Sequence, residues 1–158
     1  MSDNYTRLGD TISSQEGKAF ASIDEKNREL FELSSLKAQI DLIIQAKRML
    51  GHRMTQHKVA GAEGTGSLTM YFMNSQHLNR TVEYLKTGKL KGITIQCYNE
   101  DAASTVGRQE VVLLNVILKT IPVAVIDDGS DDPITVDSDF TFDDINVMSS
   151  FVLPENYR

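Results

Sequence analysis

Apolar and polar residues alternate along two stretches in the first half of the chain. In the first stretch the apolar positions are Leu36, Ala38, Ile40, Leu42 and Ile44, and the polar positions between them are Ser35, Lys37, Gln39 and Asp41. In the second stretch Leu68, Met70 and Phe72 alternate with Ser67, Thr69 and Tyr71. Successive side chains of a β-strand point to opposite faces, so this period of two predicts two long strands, each with one apolar, buried face and one polar, solvent-exposed face.

The remaining pattern predicts a mainly β fold, an antiparallel β-barrel or sandwich of about seven strands with one flanking α-helix. The further strands are expected at residues 17–23, 90–98, 109–118, 120–126 and 134–146, with residues 29–44 forming a hairpin with residues 17–23. We expect one domain at residues 17–147, a flexible or assembly-ordered arm at residues 1–16 and a tail at residues 148–158.

One segment changes to helical spacing. Leu78, Val82 and Leu85 recur at intervals of four and three residues, Asn74 or Ser75 can cap the start, and Gly88 can end the helix. A short amphipathic helix is therefore predicted within residues 73–88. Its three apolar residues are expected to pack on the sheet.

Residues 45–59 lose both periods and predict a long loop that leaves the body of the domain. The segment has no acidic residue, and its basic and histidine side chains are Lys47, Arg48, His52, Arg53, His57 and Lys58. Gly61, Gly64 and Gly66 follow, and they are expected to let the next strand kink or bulge as it enters the sheet.

Composition narrows the class of protein. The 158 residues have a hydrophobic content of 41% and a formal net charge of −6, which is typical of one folded domain. The charge is uneven, because residues 1–99 carry 13 Lys and Arg against 10 Asp and Glu, whereas residues 100–158 carry 3 against 12. Such a distribution favours either head-to-tail contacts between copies or an ordinary solvated acidic face. No apolar run is long enough for a transmembrane helix, no secretory signal is indicated at the N-terminus, and the single Cys97 fits a reducing compartment as a buried structural thiol.

The polar clusters give little support for catalysis or metal binding. Asp127, Asp128, Asp131 and Asp132 offer oxygen ligands, but their spacing differs from that of a calcium loop. His52 and His57 have no acidic or cysteine neighbour to complete a zinc site, and the glycines at 61–66 lack the lysine of a phosphate-binding loop. No Ser-His-Asp arrangement is indicated. We therefore expect no enzymatic activity, no metal and no cofactor.

One run of residues carries a family resemblance. The segments are His57-Lys58-Val59-Ala60-Gly61, then Gly64-Thr65-Gly66-Ser67-Leu68-Thr69, then Asn74-Ser75 opening the helix. They resemble the tail tube proteins of contractile-tailed phages, in particular the branch of the defective phage-like element of Bacillus and related clostridial phages and bacteriocins. The later layout, GITIQCYNEDA and DFTFDDINVMSSF, is similar too, and the resemblance covers about residues 17–147.

The resemblance implies a structural protein of a virion tail or phage-tail-like particle, assembled in the bacterial cytoplasm. Members form homohexameric rings that stack into a hollow tube, in which the sheets of neighbouring subunits join into one inner barrel. The implied partners are further copies of the chain, the contractile sheath, the baseplate and tail-terminator proteins, and, in a true phage, DNA that passes through the lumen without specific binding.

On this basis the polar rows of the two long strands, Ser35, Lys37, Gln39, Asp41, Ser67, Thr69 and Tyr71, are the candidate lumen lining. The basic loop is expected to contact another ring or subunit, and we hypothesise that Asp127, Asp128, Asp131 and Asp132 are its acidic partners. Arg80, Glu83 and Lys86 are candidate sheath contacts on the helix. Two alternatives stay open, a monomeric β-barrel that binds a small apolar ligand and a calcium-dependent module that uses the acidic turn.

Overall fold

A computed structural model describes residues 7–153 with the exception of residues 14, 31 and 130. Its strands are β1 Gly17–Ile23, β2 Lys26–Glu29, β3 Leu33–Lys47, β4 Gln56–Tyr71, β5 Ile93–Glu100, β6 Arg108–Leu118, β7 Thr135–Phe142 and β8 Asp144–Ser149, and its helix is α1 Gln76–Thr87. A short 3-10 turn, Leu8–Asp10, precedes them. The predicted mainly β class with one helix is confirmed.

The strands form one antiparallel sheet in the order β2-β1-β5-β6-β7-β4-β3, and β8 pairs with β6 beside this path. Strands from both ends of the order contribute to a single hydrophobic cluster. Its buried members are Ala19, Ala21, Ile23, Leu30, Leu68, Met70, Ile93, Ile95, Leu113, Val116, Phe140 and Phe142. Because β1 and β5 share this core with β4 and β7, the sheet is folded over on itself and its apolar faces meet in the middle.

The fold turns at β6, which pairs with β5 and β8 along its first part and with β7 only at Ile117 and Leu118. Asn115 lies at the turning point with a left-handed φ of 55°. Its side-chain amide donates a hydrogen bond to Asp143, and its backbone approaches Gly92 so closely that a Cβ there would lie 2.8 Å from the Asn115 Cα. This corner brings the two halves of the sheet together around the core.

Strand β4 pairs on both sides, with β3 along its whole length and with β7 from Gly64 to Tyr71. Two of its glycines lie under aromatic rings. A Cβ at Gly64 would lie 2.5 Å from the ring of Phe142, and one at Gly66 would lie 2.5 Å from the carbonyl oxygen of Lys37 and against the ring of Phe140. Gly64 and Gly66 therefore make room for phenylalanines in a stretch without a register shift. The expected bulge is found only beside Gly61, where the register shifts opposite Ile43.

Strands β3 and β4 continue beyond the end of β7 as a two-stranded arm. The predicted loop at 45–59 is wrong in extent, since β3 runs to Lys47, β4 begins at Gln56 and only residues 48–55 form the turn. Beyond its last pair with β7 at Gly64, β4 extends for eight more residues, as far as Gln56. At a rise of about 3.3 Å per residue this part is roughly 26 Å long. The pairing of two strands satisfies the backbone groups that a 15-residue loop would leave open.

Three further expectations about strands need correction. The partner of β3 is β4, because β2 pairs with β1 over only four residues and ends at Glu29, before β3 begins at Leu33. Residues 120–126 form no strand, and the predicted strand at 134–146 is divided at Asp143 into β7 and β8. Asp143 donates its N–H to the carbonyl of Leu114 at the corner, which turns the chain from β7 to β8.

Helix α1 begins and ends where the sequence predicts, but it presents a different face to the sheet. The Asn74 side chain accepts the N–H of Gln76, and Gly88 ends the helix with a left-handed φ of 75°. The buried residue is His77, whereas Val82 and Leu85 are exposed. No helix in the described ranges has the length and apolarity that a bilayer crossing requires.

The predicted N-terminal segment, residues 1–16, and the predicted C-terminal tail, residues 148–158, lie partly outside the described residues, namely at 1–6, 14 and 154–158. In its described part the N-terminal segment contacts the β5–β6 loop, where the N–H of Ser13 donates to the Asp101 carboxylate at 2.9 Å. The predicted tail starts inside β8, and Val152 donates its N–H to Val106.

We predict that Gly66→Ala destabilises the domain by about 1–3 kcal/mol, because the backbone carbonyl of Lys37 cannot move away from the added methyl group. Gly61→Ala is the matched control, since its Cβ would meet only the Ile43 side chain at an ordinary 3.6 Å. Urea unfolding of both variants at low protein concentration measures the difference. Equal midpoints for the two variants would contradict the packing of Phe140 on Gly66.

Candidate assembly surfaces

A continuous polar face crosses strands β3, β4 and β7. The register places Ser35 opposite Thr69 and Lys37 opposite Ser67, and the outer neighbours of Thr69 and Ser67 on β7 are Asp137 and Asp139. All seven predicted lumen residues lie on this face, because residues directly opposite one another in a ladder share a side of the sheet. Four more members are added by pairing: Glu63, Thr65, Thr141 and Thr135.

Short polar contacts tie this face together. The Thr69 hydroxyl donates to Asp137 at 2.6 Å, and Thr65 and Gln39 both approach the Asp41 carboxylate, at 3.4 and 3.3 Å. Asp137 and Asp139 belong to an alternating acidic run that is visible in sequence. Only the register of β7 against β4 places that run beside the predicted rows.

The polar face has an excess of acidic groups. Asp41, Glu63, Asp137 and Asp139 face solvent, and the cations that accompany them are Lys37 and Lys119 around an open groove of about 480 Å³. Because acidic side chains outnumber the lysines, this surface repels polyanions weakly and has no row of cations that would bind them.

The opposite face of the arm is apolar and uncovered. Ile40, Leu42 and Ile44 continue the core-facing row of β3 beyond the end of β7, and their exposed fractions are 47%, 56% and 59%. Val59, paired with Ile44, is 55% exposed. An exposed apolar row of this length is typical of a surface that another protein covers.

The basic tip of the arm and the acidic residues of the β6–β7 connection lie at opposite ends of the sheet. Gly64 at the arm end pairs with Phe142, and Tyr71 at the other end pairs with Thr135, which follows the acidic connection. All six predicted basic and histidine residues are exposed, and so are the four aspartates: Asp127, Asp128, Asp131 and Asp132. One chain therefore has a positive end and a negative end and cannot bring the two together itself.

The outer face of α1 differs from the prediction at one residue. Glu83 and Lys86 are exposed as expected, but the Arg80 side chain is only 13% exposed. Arg80 donates to the carbonyl of Lys91 at 2.5 Å and lies 3.8 Å from the Asp24 carboxylate. Since the stripe with His77 faces the sheet, the exposed stripe consists of Val82 and Leu85 with Glu83 and Lys86.

A largely buried ion pair lies where β3 begins and β4 ends, at the other end of these strands from the arm. The Glu32 side chain, 1% exposed, accepts two hydrogen bonds from Arg28, both 2.9 Å, and one from Asn74 at 3.2 Å. Tyr71 donates its N–H to the Glu32 carbonyl. Burial opposes ionisation of Glu32, but the bonds from Arg28 and Asn74 outweigh it and hold the pKa of that carboxyl below its ordinary value. The start of β3, the end of β4 and the start of α1 are thereby joined.

His77 lies beside this pair and is also buried. Burial first, and then the positive charge of Arg80, lower the pKa of its imidazole below the ordinary value of 6.5, and the carboxylate of Glu32 opposes this only in part. The histidine is therefore neutral in the folded protein at neutral pH.

The alternative chemistries gain no support from the described residues. Within residues 7–153, the gaps aside, no group of three or more His, Cys, Asp and Glu side chains is arranged to hold a metal ion. Burial raises the pKa of Cys97 to about 11, which suits a structural thiol better than a nucleophile. The two clefts beside α1 measure about 30 and 20 Å³, far below the roughly 300 Å³ at which small-molecule sites begin. The wider grooves, of about 420 to 480 Å³, are open and are lined in part by charged and polar side chains, which does not favour a small apolar ligand.

Comparison with known proteins shows the family and the fold to which this chain is similar. A family model described as phage tail tube protein matches residues 4–149. Two proteins of Bacillus subtilis (strain 168) are similar over 137 residues, or 87% of this chain and 90% of each relative. They are the uncharacterized protein YqbM, at 31% identity, and the XkdM protein of the phage-like element PBSX, at 30%.

Solved structures of contractile injection systems share the fold. A chain in the sheath/tube terminator of the extracellular contractile injection system PVC, in its extended state, has a TM-score of 0.68 at 10% identity, covering 88% of this chain and 97% of that one. A chain of the anti-feeding prophage baseplate has a TM-score of 0.65 at 12% identity, with coverages of 87% and 95%. The PVC sheath-tube complex gives 0.63 at 10%, with coverages of 89% and 93%.

We predict that the folded domain loses stability as the pH falls below about 6.5. His77 has a lowered pKa when folded and an ordinary one when unfolded, so the unfolded chain takes up the proton first and acid favours unfolding. Glu32 acts in the same direction below about pH 4.5, as its carboxylate partners Arg28. Thermal unfolding between pH 7.5 and 5 should show a fall in midpoint that His77→Gln reduces. A parallel fall in both proteins would contradict the assignment to His77.

Proposed function

Since this chain belongs to the phage tail tube protein family, we propose that it is the structural subunit of the hollow tube of a contractile phage tail or phage-tail-like particle. In this proposal homohexameric rings are the unit, and they stack head to tail. The observation that carries it is the arm, roughly 26 Å of paired strand that leaves the domain with an apolar face and a basic tip uncovered.

The polar face of β3, β4 and β7 is the proposed lumen wall. It is continuous across three strands, has an acidic excess and consists of polar side chains at its centre. A wall of this kind lets a polyanion such as DNA pass without binding, and it serves a DNA-free particle equally well.

The two charged ends of the sheet are the proposed stacking surfaces. The basic tip, with Lys47, Arg48, Arg53 and Lys58, would meet the acidic β6–β7 connection of a copy in the next ring. Complementary ends on one chain give a heterologous contact, which repeats along an axis and gives the assembly a direction.

The remaining partners follow from the exposed stripe of α1. Val82 and Leu85 with Glu83 and Lys86 form an amphipathic surface on the outside of the fold, which we assign to the sheath. Baseplate and tail-terminator proteins would cap the two ends of the tube. The role needs neither catalysis nor a cofactor, and assembly is expected in the bacterial cytoplasm before release.

Negative-stain electron microscopy of the purified chain at high concentration, with its elution volume on a sizing column, tests the proposal. Rings or hollow tubes of uniform diameter with sixfold averages are expected. If the chain stays monomeric, sheath and baseplate partners are added to provide a template. A chain that remains monomeric with those partners contradicts the tube role.

We predict that Arg48→Glu with Arg53→Glu shortens or abolishes tubes, because two exposed cations of the tip become anions that repel the next acidic connection. Lys89→Glu with Lys91→Glu is the control, as it makes the same charge change at exposed sites after α1. Mixing the tip variant with a chain carrying Asp127→Lys and Asp128→Lys should restore co-assembly. Tubes of unchanged length from the tip variant would refute the charge pairing.

A further inference from the structure

The outer edge of β3 is a long free strand edge. β3 has 15 residues, pairs only with β4 in the described part of the chain, and ends the strand order of the sheet. Natural sheets protect such edges with short strands, charges, proline or a covering segment. Its charged side chains are Lys37, Asp41 and Lys47, and the other 12 of its 15 residues are uncharged and include no proline. Most of the edge therefore lacks these protections and is suited to pair with another chain.

A cleft of mixed polarity accompanies this edge at its base, between β3 and β1. The cleft has a volume of about 420 Å³; Leu30, Leu33 and Leu36 form its apolar part, and polar side chains such as Ser34, Ser35 and Asn99 form the rest. Lys18 lies at its border. A strand laid along β3 would cover this cleft with its side chains.

The opposite side of the same sheet carries a segment that has the sequence of a strand but no strand pairing among the described residues. Residues 120–126 read TIPVAVI, rich in the β-branched residues that favour strands. The N–H of Lys119 binds the Asp139 carbonyl at 2.7 Å and that of Thr120 binds the Ser138 hydroxyl at 3.2 Å, which fix the start of the segment beside β7. Val123 and Ile126 are 73% and 94% exposed.

We infer that residues 120–126 of one copy pair as a strand with the free edge of β3 in the neighbouring copy and carry Val123 over the β1–β3 cleft. The partner is a second copy of this chain, and the inference rests on the proposed ring. The segment starts beside β7 and β3 lies on the far side of β4, so the two surfaces border the β7-β4-β3 part of the sheet on opposite sides. Each copy therefore offers one surface and receives the other, and the contact can close into a ring.

Charge and backbone chemistry agree with this pairing. Asp127 follows the segment, and Lys18 borders the cleft that the segment would cover. Pro122 removes one N–H donor, which is tolerated at an edge and not inside a sheet. Both unsatisfied backbone rows and both apolar surfaces would be covered by a single contact.

A photo-reactive benzoylphenylalanine at position 123 tests the inference whatever the register of the strand pairing, since it reacts with any residue within its reach. The assembled chain is irradiated, and the cross-linked peptides are identified by mass spectrometry. We expect links from position 123 to peptides containing residues 33–47 or 17–30 of a second copy. The same group at position 85, on the exposed stripe of α1, is the control and should give no such links.

A second variant covers the case in which the large side chain blocks assembly. Ser34→Cys with Val123→Cys should form disulfide-linked oligomers upon oxidation, and either substitution alone should not. Within one chain β4 and β7 lie between the two sites, at roughly 14 Å for three strand spacings, so the bond must join two copies. The raised pKa of Cys97 keeps that thiol slow to compete.

The outcomes separate the inference from the proposed function. Rings or tubes with cross-links to β3 or the cleft support it. Rings or tubes whose links from position 123 fall elsewhere overturn it and leave the tube role intact. If the unsubstituted chain forms no ring or tube even with its sheath and baseplate partners, the tube role fails and this inference fails with it.

Discussion

The double pairing of β4 is the constraint on which the rest of the structure depends. β4 holds β3 on one side and β7 on the other, and Gly64 and Gly66 let the rings of Phe142 and Phe140 lie directly on its backbone. This packing fixes the register, and a slip of one residue would exchange the polar and apolar faces. The polar wall, the length of the arm and the opposite placement of the charged ends all follow from that register.

The same pairing leaves the isolated chain with surfaces that water does not favour. Ile40, Leu42, Ile44 and Val59 expose about half of their area on the arm. Each Å² of apolar surface withdrawn from water contributes about 25 cal/mol, so covering such a row in every copy favours association strongly. The Arg28–Glu32 pair lies at the opposite end of β3 and β4 from the arm, and it gains nothing from burial by itself. We interpret it as a device that fixes the start of β3 against the end of β4 and the start of α1, and so holds the register on which the arm depends.

Sequence patterns predicted the mainly β class, one helix with its two ends, and the polar face of β3 and β4, because alternation and capping are local signals. They did not predict which strands pair. Glu63, Asp137 and Asp139 belong to the polar face only through the register. The outer part of the arm, within residues 45–59, is predicted as a loop because its basic residues break the alternation. Arg80 was placed outside because helical spacing defines a stripe without saying which stripe faces the sheet; the contacts with Asp24 and Lys91 decide that. Residues 120–126 have strand propensity but no strand partner in the described part of their own chain. A local sequence signal shows the propensity and cannot show whether a partner strand is present.

In the proposed assembly, the polarity of one subunit favours a tube over a closed shell. The edges of the sheet differ from each other, and so do its ends, so every contact is between unlike surfaces. Unlike edges can close only around an axis, and once they have closed, all the basic tips point the same way along that axis. Unlike ends cannot close, and each added ring presents again the surface that the previous ring offered. In such a tube the subunit itself would set no limit on length, so we infer that the proteins that cap the ends control it.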